Sequence, residues 1–208
     1  MTAFIWDLDG TLIDSYEIIV NALYQIYHER NVEIDKKEIL RVCINESVSA
    51  FIMQMEAKFG VPFDDLKDRY SHISHQEVLN IKAMEHSLEM LDYLKKHNVK
   101  NYVFTHRGVT TETVLKNINM FDYFDDIVSS LSGFQRKPSP EGLNYLVDKY
   151  NLDKDNTYYV GDRPIDIESA NNAGIKSIMF IPSYSPGKPT GKETFVIRDL
   201  LEIKEIVK

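Results

Sequence analysis

Cysteine is almost missing from this chain. Cys43 stands alone, so no disulfide can form within one copy, and a reducing compartment is the expected home. Between Val42 and Ile44 it reads as a small buried hydrophobe rather than a catalytic thiol. Long apolar runs are missing too. No stretch approaches the ~20 residues that cross a bilayer. An apolar run that starts at Ala3 leaves no room for a charged leader and signal segment, so a cytoplasmic location is the expectation. Positive charge is in short supply, with 24 Lys and Arg against 32 Asp and Glu. The resulting net charge of −8 argues against broad nucleic-acid or anionic-membrane binding. It leaves room for a small anionic ligand in a locally positive pocket. Repeats and low-complexity tracts are lacking, and the Pro/Gly/Ser-rich residues 182–191 read as a surface loop.

What is present is the bulk of an ordinary folded protein. With 208 residues, 43% hydrophobic and 27% charged, the chain can bury a substantial core as one large domain or a core with an insert. Strand-like segments fall at residues 3–6, 101–105, 127–129, 157–160 and 177–181. Helical patterns at 84–97, 110–119, 140–150 and 165–173 separate most of them, which predicts crossover units and a parallel sheet. Lys95, Lys96 and His97 close one helix with positive charge, and Gly174 follows another at its C-cap.

Residues 15–83 break the alternation, with helical periodicity and no convincing strand. Ile19, Leu23, Ile26 and Tyr27 share a helical face, and Asp35 suits the cap of a helix through Arg41. Gly60-Val61-Pro62 makes a break, after which Asp64 or Asp65 starts a helix running to about Ile81. The expected plan is therefore α/β. A Rossmann-like parallel sheet core (1–14 and 84–208) is flanked by helices, and a small all-helical domain (15–83) is inserted after the first strand.

The chemistry concentrates where strands end. Phe4-Ile5-Trp6 runs into Asp7-Leu8-Asp9-Gly10-Thr11, two carboxylates at the end of an apolar strand. Such a pair is costly unless a cation or a proton offsets the repulsion. The carboxyl ends of parallel strands are also where open α/β sheets hold ligands. An EF-hand calcium loop is excluded, because its fifth, sixth and twelfth positions would be Thr11, Leu12 and Ile18. The second strand ends in Thr105-His106-Arg107-Gly108, a hydroxyl with backbone N–H groups suited to phosphate, or simply a helix cap. Arg136-Lys137-Pro138-Ser139-Pro140 would fix a lysine just beyond the sheet edge. The fourth strand ends in Gly161-Asp162-Arg163-Pro164-Ile165-Asp166. A second strand ending in paired acids goes beyond turn chemistry and points to a metal site.

The ordered set Asp7-Leu8-Asp9-Gly10-Thr11, Thr105, Lys137 and Gly161-Asp162-x-x-x-Asp166 resembles the four motifs of the haloacid dehalogenase-like hydrolase superfamily. The similarity spans nearly the whole chain, and the helical insert matches the cap of the phosphoglycolate-phosphatase-like and phosphoglucomutase-like subgroup. It implies a Mg²⁺-dependent phosphatase acting on a small phosphorylated metabolite through an aspartyl-phosphate. Asp7 would be the nucleophile and Asp9 the general acid and base. Asp7, Asp9 (through its backbone carbonyl), Asp162 and Asp166 would form the metal site. Thr105 and Lys137 would hold the phosphoryl oxygens, with His106 beside them.

An Asp at position 9 resembles phosphatases and mutases rather than dehalogenases, P-type ATPases or phosphonate-cleaving members. Sugar-phosphate mutases carry a Tyr-His pair and a downstream Trp-Lys where this chain has Ile18-Ile19 and Leu23-Tyr24, so hydrolysis is the leading expectation. Mutase or non-catalytic phosphometabolite binding are the alternatives. Arg41, Asn45 and Ser47 lie where related caps read substrate, although the usual Gly is absent from Ile44-Asn45-Glu46-Ser47. Asp68, His72 and His75 share a helical face and fit either a zinc site or, more simply, a solvated surface. Arg107 and Arg163 flank the acidic motifs as salt-bridge candidates. A monomer is the default expectation.

Overall fold

The computed structural model describes residues 2–207. Strand β1 (Ala3–Trp6) is buried along its whole length, as a strand covered on both faces must be. It leads through the Asp-Leu-Asp-Gly turn to a two-residue strand, β2 (Ile13–Asp14).

Residues 15–81 then form a compact unit of their own. It holds α1 (Tyr16–His28), α2 (Lys36–Asn45), α3 (Val48–Phe59) and α4 (Phe63–Gln76). Its private core joins the predicted α1 stripe Ile19, Leu23, Ile26 and Tyr27 to Ile39, Val42, Phe51, Ile52, Met55 and Leu66. Asp35 caps α2 as expected by accepting from the Lys37 N–H, but that helix continues past Arg41 to Asn45. Ser47 then caps α3, and Gly60 ends it. Helix α4 begins at Phe63, one residue ahead of the acids expected to start it, so Asp64 and Asp65 lie in its first turn. It stops at Gln76, short of the expected Ile81, and a single 3-10 turn follows at Val78–Asn80.

The remaining elements complete a second unit with residues 2–14. They are β3 (Lys82–Ala83), α5 (Ser87–Lys96), β4 (Lys100–Phe104), α6 (Thr111–Asn117), β5 (Asp126–Val128), α7 (Glu141–Lys149), β6 (Thr157–Gly161), α8 (Pro164–Ala173), β7 (Lys176–Phe180), β8 (Phe195–Ile197) and α9 (Ile203–Ile206). Lys82 and Ala83, assigned to the helical segment from sequence, instead pair antiparallel with β2. Edge strand β8 was not foreseen. It is three residues long, with Phe195 and Val196 exposed, so it carries no burial pattern to read.

The main sheet is six-stranded and parallel, in the order β5-β4-β1-β6-β7-β8. Chain direction across the sheet reverses at β1, which lies between β4 and β6, and open α/β sheets bind ligands at such switch points. Trp6 is level with Val103 on one side and Val160 on the other. Asp7, Thr105 and Asp162 therefore emerge together at the carboxyl edge. One polar residue inside this apolar layer is satisfied in place: Asn101 accepts from the Trp6 indole N–H at 2.9 Å and donates to the Val99 carbonyl.

Candidate active site at the strand ends

The loop after β1 is wound around one carbonyl. Leu8 O accepts from Thr11, Leu12 and Ile13, while Gly10 takes a φ of 79°, a conformation open to glycine at little cost. The Asp7 N–H still bonds Val160 O at 2.8 Å, so Asp7 begins its turn from a fixed strand position. After β6 the requirement is close approach. A Cβ at Gly161 would meet the Asp166 Cβ at 2.4 Å, so glycine lets the first turn of α8 press against the strand end. Asp166 sits there at 0% exposure and accepts from the Arg163 N–H at 3.1 Å.

Lys137 is the centre of the cluster. Its buried ammonium lies 2.8 Å from Asp7 Oδ1 and 2.8 Å from Asp166 Oδ1. The Phe104 and Tyr159 rings face it, each centroid 5.1 Å away. The Tyr159 hydroxyl, also buried, donates to Phe104 O at 2.9 Å and reaches Asp166 Oδ1 at 3.4 Å. One ammonium thus serves two buried carboxylates. Burial raises Asp7 to about 6 against the pull of Lys137, with Asp166 adding to the rise. Burial also works to raise Asp166, but Lys137 and Arg163 outweigh it and hold that carboxyl below its ordinary value.

The remaining oxygen of Asp7, Oδ2, is buried without a hydrogen-bond partner. An orphaned carboxylate oxygen is costly and calls for a cation. Ligand atoms of Asp7, Asp162 and Asp166 lie within 4.8 Å of one another. Three hard oxygen donors suit a divalent ion such as Mg²⁺ or Ca²⁺ better than a soft metal. These residues can hold a divalent metal. Thr11 steadies the set with a 3.4 Å hydrogen bond to Asp162 Oδ1.

Asp9 lies outside the buried cluster and is partly exposed. The Arg107 Nε is 3.2 Å from both of its oxygens, and Nη2 also donates to Oδ1. Thr105 is buried and does not cap the next helix. Its Oγ1 accepts from the Arg107 N–H at 3.1 Å, and Thr110 occupies the cap position of α6. His106, grouped with substrate contacts from sequence, has its Nε2 engaged as acceptor of the Lys137 backbone N–H at 2.7 Å. Burial, followed by the charges of Lys137, Arg136 and Arg163, holds the imidazole down to about 3, so it is neutral and free to accept. Sequence reasoning missed this contact and the aromatic walls of Lys137. Arg107 was flagged only as a possible salt bridge.

The three candidates in the helical unit have local roles. Arg41 pairs with Glu38, Asn45 donates to Arg41 O at 2.8 Å, and Ser47 accepts from the Ala50 N–H at 2.9 Å. On α4, His72 contacts Gln76, and among the described residues no metal-ligating cluster forms with Asp68 and His75.

Comparison with known proteins fits this geometry. The haloacid dehalogenase-like hydrolase pattern matches residues 4–180, and the chain belongs to that family of enzymes. It is 26% identical to the phosphoglycolate phosphatase of Vibrio parahaemolyticus, covering 97% of this chain and 94% of that protein. It is 25% identical to the pyrophosphatase PpaX of Halalkalibacterium halodurans, covering 98% and 95%. The crystal structure of a predicted phosphoglycolate phosphatase from Haemophilus somnus superposes with a TM-score of 0.88 at 19% identity, over 100% of this chain and 98% of that one. Among the described residues no helix is long and apolar enough to cross a membrane.

Proposed function

We propose that this hydrolase is a Mg²⁺-dependent phosphatase of small phosphorylated metabolites that works through an aspartyl-phosphate on Asp7. The observation that carries this is the asymmetry of the Asp7 carboxylate: Lys137 fixes Oδ1, while the buried Oδ2 has no partner. The Asp7 carboxylate attacks phosphorus and the bond to the leaving oxygen breaks, with Asp9 supplying the proton. Asp9 then takes a proton from water as that water attacks the phosphoryl group, which releases phosphate and restores Asp7. Lys137 and Thr105 hold the phosphoryl oxygens, and Lys137 offsets the surrounding acids.

Asp7, Asp162 and the Asp9 carbonyl would hold Mg²⁺, with Asp166 in support through its grip on Lys137. When bound, the ion neutralises charge between carboxylates and phosphate and so permits attack by one anion on another. The helical unit selects substrate. The small phosphorylated substrates in the names of the two sequence relatives support the same class.

The test is phosphate release from sugar, glycolate, nucleotide and aryl phosphates with Mg²⁺ or EDTA, using wild type, Asp7→Asn and Asp9→Asn. Turnover that needs Mg²⁺ and vanishes in both variants is expected. A folded protein that releases phosphate from none of them would refute the proposal.

A further inference from the structure

The pairing of Arg107 with Asp9 raises a question that the phosphatase reading does not answer. The guanidinium lies edge-on to the carboxylate, with Nε shared between both oxygens and Nη2 on one. Its third nitrogen, Nη1, donates to Thr110 Oγ1 at 2.9 Å, and the Arg107 backbone N–H is held by Thr105 Oγ1. The Arg107 side chain is only 13% exposed. It is therefore anchored at two points and presents one two-donor edge, which both oxygens of Asp9 occupy. A residue that must carry a proton to a leaving oxygen cannot keep both oxygens in that fork. Something has to take Asp9's place. A guanidinium edge of this kind matches a carboxylate or phosphoryl group in geometry and charge. The leaving oxygen sits beside Asp9 in the proposed reaction, so the competing anion belongs to the leaving group.

We propose that Arg107 determines specificity for a second anionic group, carboxylate or phosphoryl, on the leaving-group side of the substrate. On binding, that group takes the Nε/Nη2 edge of Arg107 and frees Asp9 for proton transfer, while Thr110 and Thr105 keep the guanidinium in place. A substrate with a neutral leaving group leaves Arg107 on Asp9 and reacts poorly. The inference rests on the phosphatase reading and narrows its substrate class.

The experiment uses three probes. 2-Phosphoglycolate carries the extra carboxylate, ethyl phosphate is its counterpart without one, and inorganic diphosphate supplies the phosphoryl alternative. Values of kcat/KM are measured with Mg²⁺ for wild type, Arg107→Met and Arg107→Lys. Wild type is expected to favour at least one of the two anion-bearing probes over ethyl phosphate by roughly 10- to 100-fold, the range of a charge-assisted hydrogen-bonded contact. Which probe wins identifies the anion. That ratio should fall to within about threefold in Arg107→Met and be partly kept in Arg107→Lys, which retains charge without the fork. No preference in wild type, or a preference that survives in Arg107→Met, would overturn the proposal.

If wild type turns over none of the probes, the phosphatase reading stands or falls on the wider panel of phosphate esters. The inference is then decided by calorimetric binding to Asp7→Asn and Asp7→Asn/Arg107→Met. Tighter binding of an anion-bearing probe than of ethyl phosphate, lost with Arg107, supports it. Equal binding refutes it.

Discussion

The strand-end cluster and the α2–α3 segment of the helical unit are both rich in polar residues, and they satisfy them in opposite ways. In the cluster, Lys137 bonds a carboxylate 130 residues away and another 29 away, Arg107 reaches back 98 residues to Asp9, and His106 accepts from a backbone 31 residues on. In the α2–α3 segment, Arg41, Asn45 and Ser47 find partners three or four residues away. Local partners are what helix ends and helix faces require of Ser, Asn and paired charges. Convergence of buried charges from the segments that follow β1, β5 and β6 has no such local cause. It costs stability, and chemistry is the return. The lesson is that polar residues in a loop or helix should be ranked by how far in sequence their partners lie.

The largest effect that would sharpen the contrast is at Asp7. Asp7→Asn keeps the shape and removes the attacking atom, so phosphate release should fall on the order of 10⁴-fold, the scale of losing a nucleophile. Circular dichroism and melting should show a folded protein. Next comes Lys137→Met, which removes the ammonium that both buried carboxylates share. Unfolding free energy should drop by about 3–5 kcal/mol, and kcat should fall at least about 100-fold. An unchanged denaturation midpoint would break the account of Lys137 as keystone.

His106 gives a smaller, pH-dependent effect. Its imidazole is held down to about 3 in the folded protein, against an ordinary value near 6.5. Neutral His106 therefore adds stability above about pH 6.5, and that contribution drains away as pH falls from there toward 3. The loss approaches ~1.4 kcal/mol per pH unit. Urea unfolding of wild type and His106→Leu at pH 7, 6, 5 and 4 should show wild type ahead at pH 7 and the two converging in acid. Parallel curves would contradict the link.

The smallest effects lie in the helical unit. Ser47→Ala should cost about 1 kcal/mol through its lost cap and leave kcat/KM within about twofold. Arg41→Ala breaks only an exposed pair and should leave the melting temperature unchanged. A tenfold fall in kcat/KM with either variant would make these residues substrate contacts and break the comparison.

Much of this was legible because chain order and strand order cooperate. Apolar runs ending in Asp7 and Asp162 announced parallel strands with acids at one edge, and register then fixed their meeting. Tyr159 was not legible, since inside Thr157–Gly161 it reads as one more apolar strand residue, and its hydroxyl bond to Phe104 O depends on the neighbouring strand. The His106 contact was hidden for the same reason: the acceptor is on one loop and the donor on another. Helix α3 and strand β8 escaped notice because each is defined by packing, the first inside the four-helix core and the second as an exposed edge.

The central claim is that Asp7 becomes phosphorylated during turnover. Acid quench of wild type within the first turnover on its best substrate, followed by peptide mass spectrometry, tests it most directly. The account predicts a phosphoryl group on the peptide carrying Asp7, absent without substrate and absent in Asp7→Asn. Phosphate release with no phosphoryl group on that peptide, or undiminished release by Asp7→Asn, would contradict it.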